Sequence, residues 1–348
     1  MQHFTHLRDL NPTQDPQRAA ALITRARALK AGAKSRALSD KIIGLLFMDP
    51  SLRTRTSFDA AAIKLGGQSI SLDVGQGVWG LEYLDNALMN GDKPEHVREA
   101  AGVLSQYVDV LGVRAFSRGE GLSSDEADRV IGAFRTHASV PVISLESARE
   151  HPCQGLADLM TAQEHFGALS EVNITLSWAP HIKSLPRAVP NSLLLTAAAL
   201  GCKIRVAHPL GYALAPEITA EAQKYAAVSG AKIDFYTHQL PAIKGAQIVY
   251  AKSWGQTDAL VAPPNDPSLA NWMLEPEHFN EAHPDAKFLH CLPVRRGVEV
   301  SHAVLDGPRS SVLSEAGNRL WVQMAALEWL MHANDLTVDD VLDSLPLI

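Results

Sequence analysis

The stretch at positions 49–56, DPSLRTRT, carries side chains suited to binding a phosphate. Three hydroxyls, including that of Ser51, stand beside Arg53 and Arg55, whose planar guanidinium groups fit phosphate oxygens bidentately. An apolar run at 42–48 predicts a buried parallel strand before this stretch, and apolar spacing at 57–65 predicts a helix after it. Because a strand that leads onto a helix start exposes free backbone N–H groups, the sequence predicts an anion site here. The alternative is that Ser51 caps the helix and the two arginines form surface ion pairs.

Strand-like and helix-like segments alternate along the rest of the chain. Strands are predicted at 42–48, 69–73, 108–113, 141–145, 174–178, 203–207, 232–236, 248–250 and 288–290. Helices are predicted at 17–31, 57–65, 95–107, 125–137, 154–166, 191–200, 216–229 and 240–245. This alternation predicts an α/β fold of two doubly wound parallel-sheet domains with helices on both faces of each sheet.

Length and composition limit the class of protein. A chain of 348 residues suits two domains, and a hydrophobic fraction of 46% with a charged fraction of 20% is typical of a globular protein. The formal net charge of -7 argues against nucleic acid as a partner, so an anion must be met by a local positive cluster. No apolar run approaches the ~20 residues of a membrane span, and the polar N-terminus lacks the apolar segment of a secretory signal. We therefore expect a cytoplasmic protein without a membrane partner.

Metal and disulfide chemistry find little support in the sequence. Cys153, Cys202 and Cys291 are scattered and odd in number, which is typical of reduced thiols. The chain contains no CxxC pair and no HExxH motif, so the sequence predicts no metal site.

Polar side chains follow several predicted strands at the point where each strand ends. In the first half these are Arg114, Glu146 and the HPCQ stretch at 151–154. In the second half they are His181, Lys252 and the CLPVRR stretch at 291–296. Each alone has a structural explanation, since a single histidine is usually satisfied in its surroundings, a lysine solvated and a cysteine packed. Together they predict two sheet edges that face each other across an active-site cleft.

A long glycine-punctuated segment at 75–93 carries Trp79. A loop of this length in a compact domain is more often functional than idle. The alternative for Trp79 is a tryptophan buried under its own loop.

The sequence is interpreted as lacking a nucleotide-binding fingerprint, either GxxxxGKS/T or GxGxxG after a strand, which disfavours a nucleotide-dependent dehydrogenase. A phosphate site without such a loop predicts a small phosphorylated substrate. Arg53, Arg55 and Arg114 would bind the phosphate of an acyl phosphate, while His151 and Gln154 hold its carbonyl. Attack by an amine on that carbonyl depends mainly on how the amine is oriented. The enzyme therefore needs no covalent nucleophile of its own.

Three motifs in order resemble the signature motifs of the aspartate/ornithine carbamoyltransferase family: SLRTR at 51–55, HPCQ at 151–154 and HCLP at 290–293. The resemblance extends from about residue 40 to about residue 330. It implies a carbamoyl phosphate-binding domain at 1–150, an acylornithine-binding domain at 151–325 and C-terminal helices at 326–348 that return to the first domain. It also implies a homotrimer with shared active sites and no cofactor.

The resemblance assigns roles position by position. It implies that carbamoyl phosphate is held by Ser51, the backbone of Leu52, Arg53, Thr54, Arg114, His151, Gln154, Cys291, Leu292 and Arg319. The catalytic residues among these would be Arg53, Thr54, Arg114, His151 and Cys291. Trp79 matches a loop tryptophan that reaches the carbamoyl phosphate site from a neighbouring subunit.

The second substrate is inferred from where this chain departs from ornithine carbamoyltransferases. Those enzymes grip the α-amine and carboxylate of ornithine with a Ser-Met-Gly segment, whereas this chain reads AKSWG at 251–255. Lys252 cannot accept a hydrogen bond from an ammonium but pairs well with a carboxylate. Together with WAPH at 178–181 and LPRAVPNS at 185–192, this pattern resembles the branch that acts on N-acylated ornithines. In that branch the proline-rich loop forms a trefoil knot in the second domain.

Two positions distinguish the acyl group within the branch. Acetylornithine enzymes carry a glutamate where this chain has Pro94, and a glutamate there would repel the extra carboxylate of a succinyl group. They can also carry a modified lysine where this chain has Glu299, and the step from Glu146 to His151 resembles the succinylornithine pattern. The alternative for Pro94 is an ordinary proline at the first position of a helix.

The resemblance thus implies transfer of a carbamoyl group from carbamoyl phosphate to the δ-amine of N-succinylornithine. Glu146, His181, Lys252 and Arg295 would hold the acylated amino acid. Two alternatives stay open, an enzyme that acts on N-acetylornithine and a non-catalytic phosphometabolite-binding module on the same scaffold.

Overall fold

The computed structural model describes residues 1–116, 127–256 and 267–332. The chain divides into two compact units. Unit 1 comprises Met1–Leu10, Ala20–Cys153 and the chain from Arg319 onward, and unit 2 comprises Asn11–Ala19 and Gln154–Asn318.

Unit 1 is built on a parallel sheet. Its described strands are β1 (Ile42–Phe47), β2 (Gln68–Asp73), β3 (Leu81–Glu82), β4 (Glu95–His96), β5 (Val110–Arg114) and β6 (Val142–Glu146). Its described helices are α1 (Arg18–Lys30, shared with unit 2), α2 (Arg53–Lys64), α3 (Val97–Leu104) and α4 (Arg129–His137), with a 3-10 turn at Leu7–Leu10. The four longer strands pair in the order β2-β1-β5-β6, and β3 pairs with β4 as a separate ribbon. Apolar side chains of the strands and of α3 and α4, among them Leu111 and Phe134, form the buried core.

Unit 2 contains a second parallel sheet. Its described strands are β7 (Asn173–Trp178), β8 (Lys203–Ala207), β9 (Lys232–Tyr236), β10 (Ile248–Lys252) and β11 (Lys287–Leu289), in the order β11-β10-β7-β8-β9. Its described helices are α5 (Pro152–Phe166), α6 (Ala188–Ala199), α7 (Pro216–Ser229), α8 (Gln239–Ile243), α9 (His302–Leu305) and α10 (Val312–His332). The boundaries at 153/154 and 318/319 fall inside α5 and α10. Short 3-10 turns lie at Leu169–Glu171, Pro267–Trp272 and Pro276–Asn280.

Each sheet has one point where the direction of winding reverses. In unit 1 the chain runs outward from β1 to β2 and from β5 to β6, so the reversal lies between β1 and β5. In unit 2 it lies between β7 and β10. Ligands of open parallel sheets bind outside the carboxyl ends of the strands at such a reversal. This is where Arg114 ends β5 beside β1, and where Lys252 ends β10 beside Trp178 of β7.

The predicted α/β fold of two parallel sheets is confirmed, and several helix boundaries differ from the prediction. The helix predicted at 57–65 begins at Arg53, one turn earlier. The helix predicted at 95–107 begins at Val97 because Glu95 and His96 pair with β3 instead. The helix predicted at 125–137 begins at Arg129, and positions 125–126 lie outside the described residues.

Three other expectations stay predictions. Positions 333–348 of the predicted C-terminal helices lie outside the described residues, and the trefoil knot stays a prediction. The assignment of 1–150 and 151–325 to the two substrates also stays a prediction.

One interpretation of the sequence was wrong. Residues 75–80 read GQGVWG, which has the GxGxxG spacing and follows β2. The segment leads to strand β3 and not to a helix, so it lacks the helix N-terminus that holds a pyrophosphate in a dinucleotide site.

Candidate active site

The start of helix α2 carries the predicted phosphate donors. The Ser51 hydroxyl accepts a hydrogen bond from the backbone N–H of Thr54, at 3.1 Å from oxygen to nitrogen. Ser51 therefore satisfies one N–H of the first turn, although Leu52 occupies the N-cap position. The Leu52 side chain is exposed, which leaves its contribution to a ligand with the backbone. A helix N-terminus remains favourable for an anion because its first N–H groups have no partner within the helix.

Arg55 does not join this cluster. Its guanidinium group forms an ion pair with Asp73 at the end of β2 and lies over the Phe47 ring, 4.2 Å from the ring centroid. Arg55 therefore forms a surface ion pair, as the alternative interpretation held, because Asp73 on the adjacent strand is its nearest charge partner.

Arg114, Glu146 and His151 lie together at the ends of β5 and β6. Arg114 Nη1 donates to Glu146 Oε2 at 2.5 Å, and His151 Nε2 lies 3.8 Å from the same carboxylate oxygen. Arg114 is 7% exposed, and its Nε has no hydrogen-bond partner among the described residues. A buried N–H donor without a partner is costly, so Arg114 has the capacity to bind a ligand anion.

Arg319 of α10 completes the positive cluster of unit 1. Its Nη2 donates to the Thr54 hydroxyl at 2.6 Å, and both side chains are buried. Burial lowers the pKa of the Arg319 guanidinium, while the Glu146 carboxylate raises it and the charges of Arg114 and Arg53 lower it. These cations are thus close enough to act on one another, and a phosphate dianion would relieve their repulsion.

His151 is held as a neutral imidazole. Burial, and then the charges of Arg319 and Arg114, lower the pKa of His151 well below its ordinary value. A neutral imidazole with a ring N–H can donate to a carbonyl oxygen without adding a further charge to the cluster.

Gln154 lies near the start of helix α5 in a buried polar group that the sequence reasoning missed. Its Nε2 donates to Asp158 Oδ1 at 2.8 Å and to Glu315 Oε1 at 3.0 Å. The only available signal was the spacing of four residues that places Gln154 and Asp158 on one face of a helix. No sequence signal pointed to Glu315, because its partners lie far away in the sequence.

The predicted turn after β11 lies beside this group. The backbone N–H of His290 donates to Glu315 Oε2 at 2.8 Å, and the N–H of Leu292 donates to His290 Nδ1 at 2.9 Å. Leu292 has a φ of 52°, an uncommon conformation for a bulky residue, and a cis peptide bond joins it to Pro293. Burial raises the pKa of Tyr250, and so do Asp158, Glu315 and Cys291.

The predicted acylornithine residues of unit 2 form a second cluster. Arg295 Nε donates to His181 Nε2 at 3.0 Å, and the backbone N–H of Arg295 donates to Glu299 Oε2 at 2.7 Å. Lys252 is 8% exposed at the end of β10. Burial raises the pKa of Glu299, but bonding to His290 and the charge of Lys252 outweigh it, so the pKa is lowered. The pKa of His181 is lowered as well, and here burial is the main cause because it disfavours the charged imidazolium. The cluster therefore contains two cations and an ionised carboxylate.

Trp79 and Pro94 lie at one end of the β3–β4 ribbon. The ribbon is parallel, so Trp79, two residues before β3, and Pro94, one residue before β4, come to the same end. Trp79 is 59% exposed and its Nε1 donates to Glu95 Oε2 at 2.5 Å, so the alternative of a tryptophan buried under its own loop is wrong. Pro94 is exposed and precedes a strand, so the alternative of a helix-start proline is also wrong.

Within the described ranges, no group of three or more histidine, cysteine or acidic side chains could hold a metal ion. No helix of the described part combines the length and apolar character needed to cross a membrane.

Comparison with known proteins identifies the family. Residues 2–164 match the carbamoyl-P binding domain of aspartate/ornithine carbamoyltransferases, and residues 186–330 match the Asp/Orn binding domain. The chain belongs to the aspartate/ornithine carbamoyltransferase family. The family was predicted from three short motifs, and both domain matches confirm it.

Relatives with an N-acylornithine substrate place the chain in that branch of the carbamoyltransferase family. It is 37% identical over 343 residues to N-acetylornithine carbamoyltransferase of Xylella fastidiosa, covering 94% of this chain and 98% of the relative. It is also 37% identical over 280 residues to N-succinylornithine carbamoyltransferase of Bacteroides fragilis, covering 80% of this chain and 84% of the relative. These equal identities leave the acyl group unresolved.

A solved structure in the same branch bears on the acyl group. It is an N-acetyl-L-ornithine transcarbamylase in which proline replaces one glutamate, complexed with carbamyl phosphate and N-succinyl-L-norvaline. Its TM-score to this chain is 0.89 at 35% identity, with 95% of this chain and all of that chain covered.

Proposed function

We propose that this N-acylornithine carbamoyltransferase uses N-succinylornithine. It would transfer the carbamoyl group of carbamoyl phosphate to the δ-amine and release N-succinylcitrulline and phosphate, as a step of arginine biosynthesis. The observation that carries the choice of substrate is Pro94, an uncharged residue at the exposed end of the β3–β4 ribbon. A glutamate at this position would repel the succinyl carboxylate, and proline does not.

The related proline variant supports this choice. That acetylornithine enzyme was solved with a succinylated ligand after proline replaced a glutamate. The proposal equates the replaced glutamate with the position of Pro94, as the resemblance implies.

The positive cluster of unit 1 suits carbamoyl phosphate. Arg53, Arg114 and Arg319 would bind the phosphate oxygens, together with the hydroxyls of Ser51 and Thr54. The neutral His151 would donate to the carbonyl oxygen, which gains negative charge when the amine attacks. As the new C–N bond forms, the C–O bond to phosphate breaks, and phosphate leaves with the electron pair and takes up the proton that the amine loses.

Most of the remaining predicted contacts come from unit 2. Gln154, Cys291 and Leu292 would bind the carbamoyl group. His181, Lys252 and Arg295 would pair with the two carboxylates of N-succinylornithine, and Glu146 of unit 1 would face the amino-acid substrate. The family resemblance further supports a homotrimer with shared active sites, in which Trp79 reaches a neighbouring subunit, and a cytoplasmic location.

A side-by-side assay tests the proposal. Ornithine, N-acetylornithine and N-succinylornithine are each supplied with carbamoyl phosphate, and both phosphate and the carbamoylated product are measured. The highest kcat/KM is expected with N-succinylornithine. A preference for N-acetylornithine would overturn the substrate assignment, and absence of phosphate with all three would favour a binding module.

A further inference from the structure

We propose that Glu315 is a positioning residue, which makes Gln154 the acceptor that distinguishes carbamoyl phosphate from other acyl phosphates. Glu315 lies on α10 and is fully buried. Its Oε1 accepts from the Gln154 side chain at 3.0 Å, and its Oε2 accepts from the backbone N–H of His290 at 2.8 Å. One carboxylate therefore holds both a site side chain and the turn that carries Cys291.

The two carboxylates next to Gln154 fix the orientation of its amide. The two ends of a primary amide have similar shapes, but the NH2 group carries two N–H donors and the oxygen only accepts. Here both donors are used, one by Asp158 Oδ1 and one by Glu315 Oε1. A rotation of 180° would direct the amide oxygen at two carboxylate oxygens, so the rotated form is strongly disfavoured.

The fixed orientation leaves one acceptor ready for a ligand. Gln154 is 1% exposed, and its Oε1 has no hydrogen-bond partner among the described residues. A buried acceptor of this kind is satisfied best by an N–H donor. The amino group of carbamoyl phosphate supplies such a donor, whereas the methyl group of acetyl phosphate, a molecule of nearly the same shape, does not.

The cost of this arrangement argues for a role beyond packing. Asp158 and Glu315 are both buried, and both act on the buried Tyr250. Burying carboxylates close together is unfavourable unless hydrogen bonds compensate. A neutral residue at position 315 would avoid that cost, but it would not hold both N–H donors of Gln154 on carboxylate oxygens.

The test compares the affinities of the wild-type protein and Glu315→Gln for carbamoyl phosphate and for acetyl phosphate, measured by calorimetry. The inference rests on the proposed carbamoyl phosphate site. The wild-type protein should prefer carbamoyl phosphate, because an acceptor left unpaired penalises the analogue. In Glu315→Gln this preference should fall by about tenfold or more, since the new amide lets Gln154 rotate. Affinity for acetyl phosphate should change little.

A matched control lies on the same helix. Glu328 is also a buried carboxylate of α10, and it is bound by Arg25 and Ser35, away from the site. Glu328→Gln should lower the unfolding midpoint without changing the ratio of the two affinities. If Glu315→Gln does not fold, Asp158→Asn replaces the other carboxylate by an amide that can also donate, and it should also lower the ratio.

A double variant separates action through Gln154 from a general effect. If Glu315 acts through Gln154, Glu315→Gln should cause no further loss of preference in a Gln154→Ala background. Equal ratios in Glu315→Gln and wild type, or additive losses in the double variant, would overturn the inference. If the wild-type protein binds neither acyl phosphate, the proposed function fails instead.

Discussion

Arg114 is hydrogen-bonded at 2.5 Å to Glu146, although the two residues are assigned to different substrates. Arg114 would bind the phosphate group, and Glu146 would face the acylated amino acid. Because a dianionic phosphate competes with a carboxylate for the same guanidinium, binding of carbamoyl phosphate should release Glu146. The first substrate would thereby prepare the site of the second.

This pairing predicts opposite effects of one substitution. Glu146→Gln removes the competing charge, so carbamoyl phosphate should bind as tightly as in the wild type or more tightly. Turnover should nevertheless fall by about tenfold or more, because the amino-acid substrate loses a charged contact. Calorimetry and steady-state kinetics measure the two quantities, and weaker binding with unchanged turnover would contradict the assignment.

Arg53 and Arg55 at the start of α2 provide a matched pair of variants, and Arg114 at the end of β5 provides a third. Arg53→Ala and Arg114→Ala should each weaken carbamoyl phosphate binding and slow turnover by orders of magnitude, since each loses a charge-assisted contact of roughly 1.5–3 kcal/mol. Arg55→Ala should keep most of the activity, because Arg55 is held by Asp73. Normal turnover in Arg53→Ala would refute the phosphate site.

The lowered pKa of His151 predicts a pH dependence of stability. As the pH falls below the ordinary histidine value of 6.5, the unfolded chain takes up a proton that the buried His151 refuses, so folding stability declines. His151→Gln should lose less stability than the wild type between about pH 8 and about pH 5.5, measured by urea denaturation. The exposed His302 offers a control for the loss of a histidine at the surface, through His302→Gln. An unchanged slope in His151→Gln would contradict a neutral buried imidazole.

The parts of the site that could be predicted from sequence were those at the ends of strong apolar runs. Arg114, Glu146 and Lys252 follow buried strands, so their place at a carboxyl edge follows from the alternation alone. The partner of Arg55 could not be predicted, because it depends on which strand lies next to β1. The β3–β4 ribbon was missed because strands of two residues carry no periodic pattern.

Exposure of Trp79 permits the predicted reach into a neighbouring subunit of a trimer. Inactive Arg53→Ala and inactive Trp79→Ala chains, mixed in one trimer, should regain activity at sites that contain neither lesion. With random mixing in equal amounts, about a quarter of all sites would be intact, which corresponds to about one site in three of each hybrid trimer. The measurement is the activity of hybrid trimers separated by a charged tag. Inactive hybrids would indicate that Trp79 serves its own subunit or none.

Pro94 provides the decisive comparison between the two acylated substrates. It lies at the same exposed end of the β3–β4 ribbon as Trp79. Pro94→Glu would place a negative charge beside the succinyl carboxylate and leave the contacts to carbamoyl phosphate untouched.

Repulsion between like charges in a partly desolvated site costs several kcal/mol, which is enough to change affinity by orders of magnitude. An acetyl group carries no such charge. Pro94→Glu should therefore depress kcat/KM for N-succinylornithine and spare or raise it for N-acetylornithine. Pro94→Ala is the matched control, because it changes the backbone and adds no charge. If the ratio of the two kcat/KM values is the same in wild type and Pro94→Glu, then Pro94 does not line the acyl pocket and the succinyl assignment loses its main support.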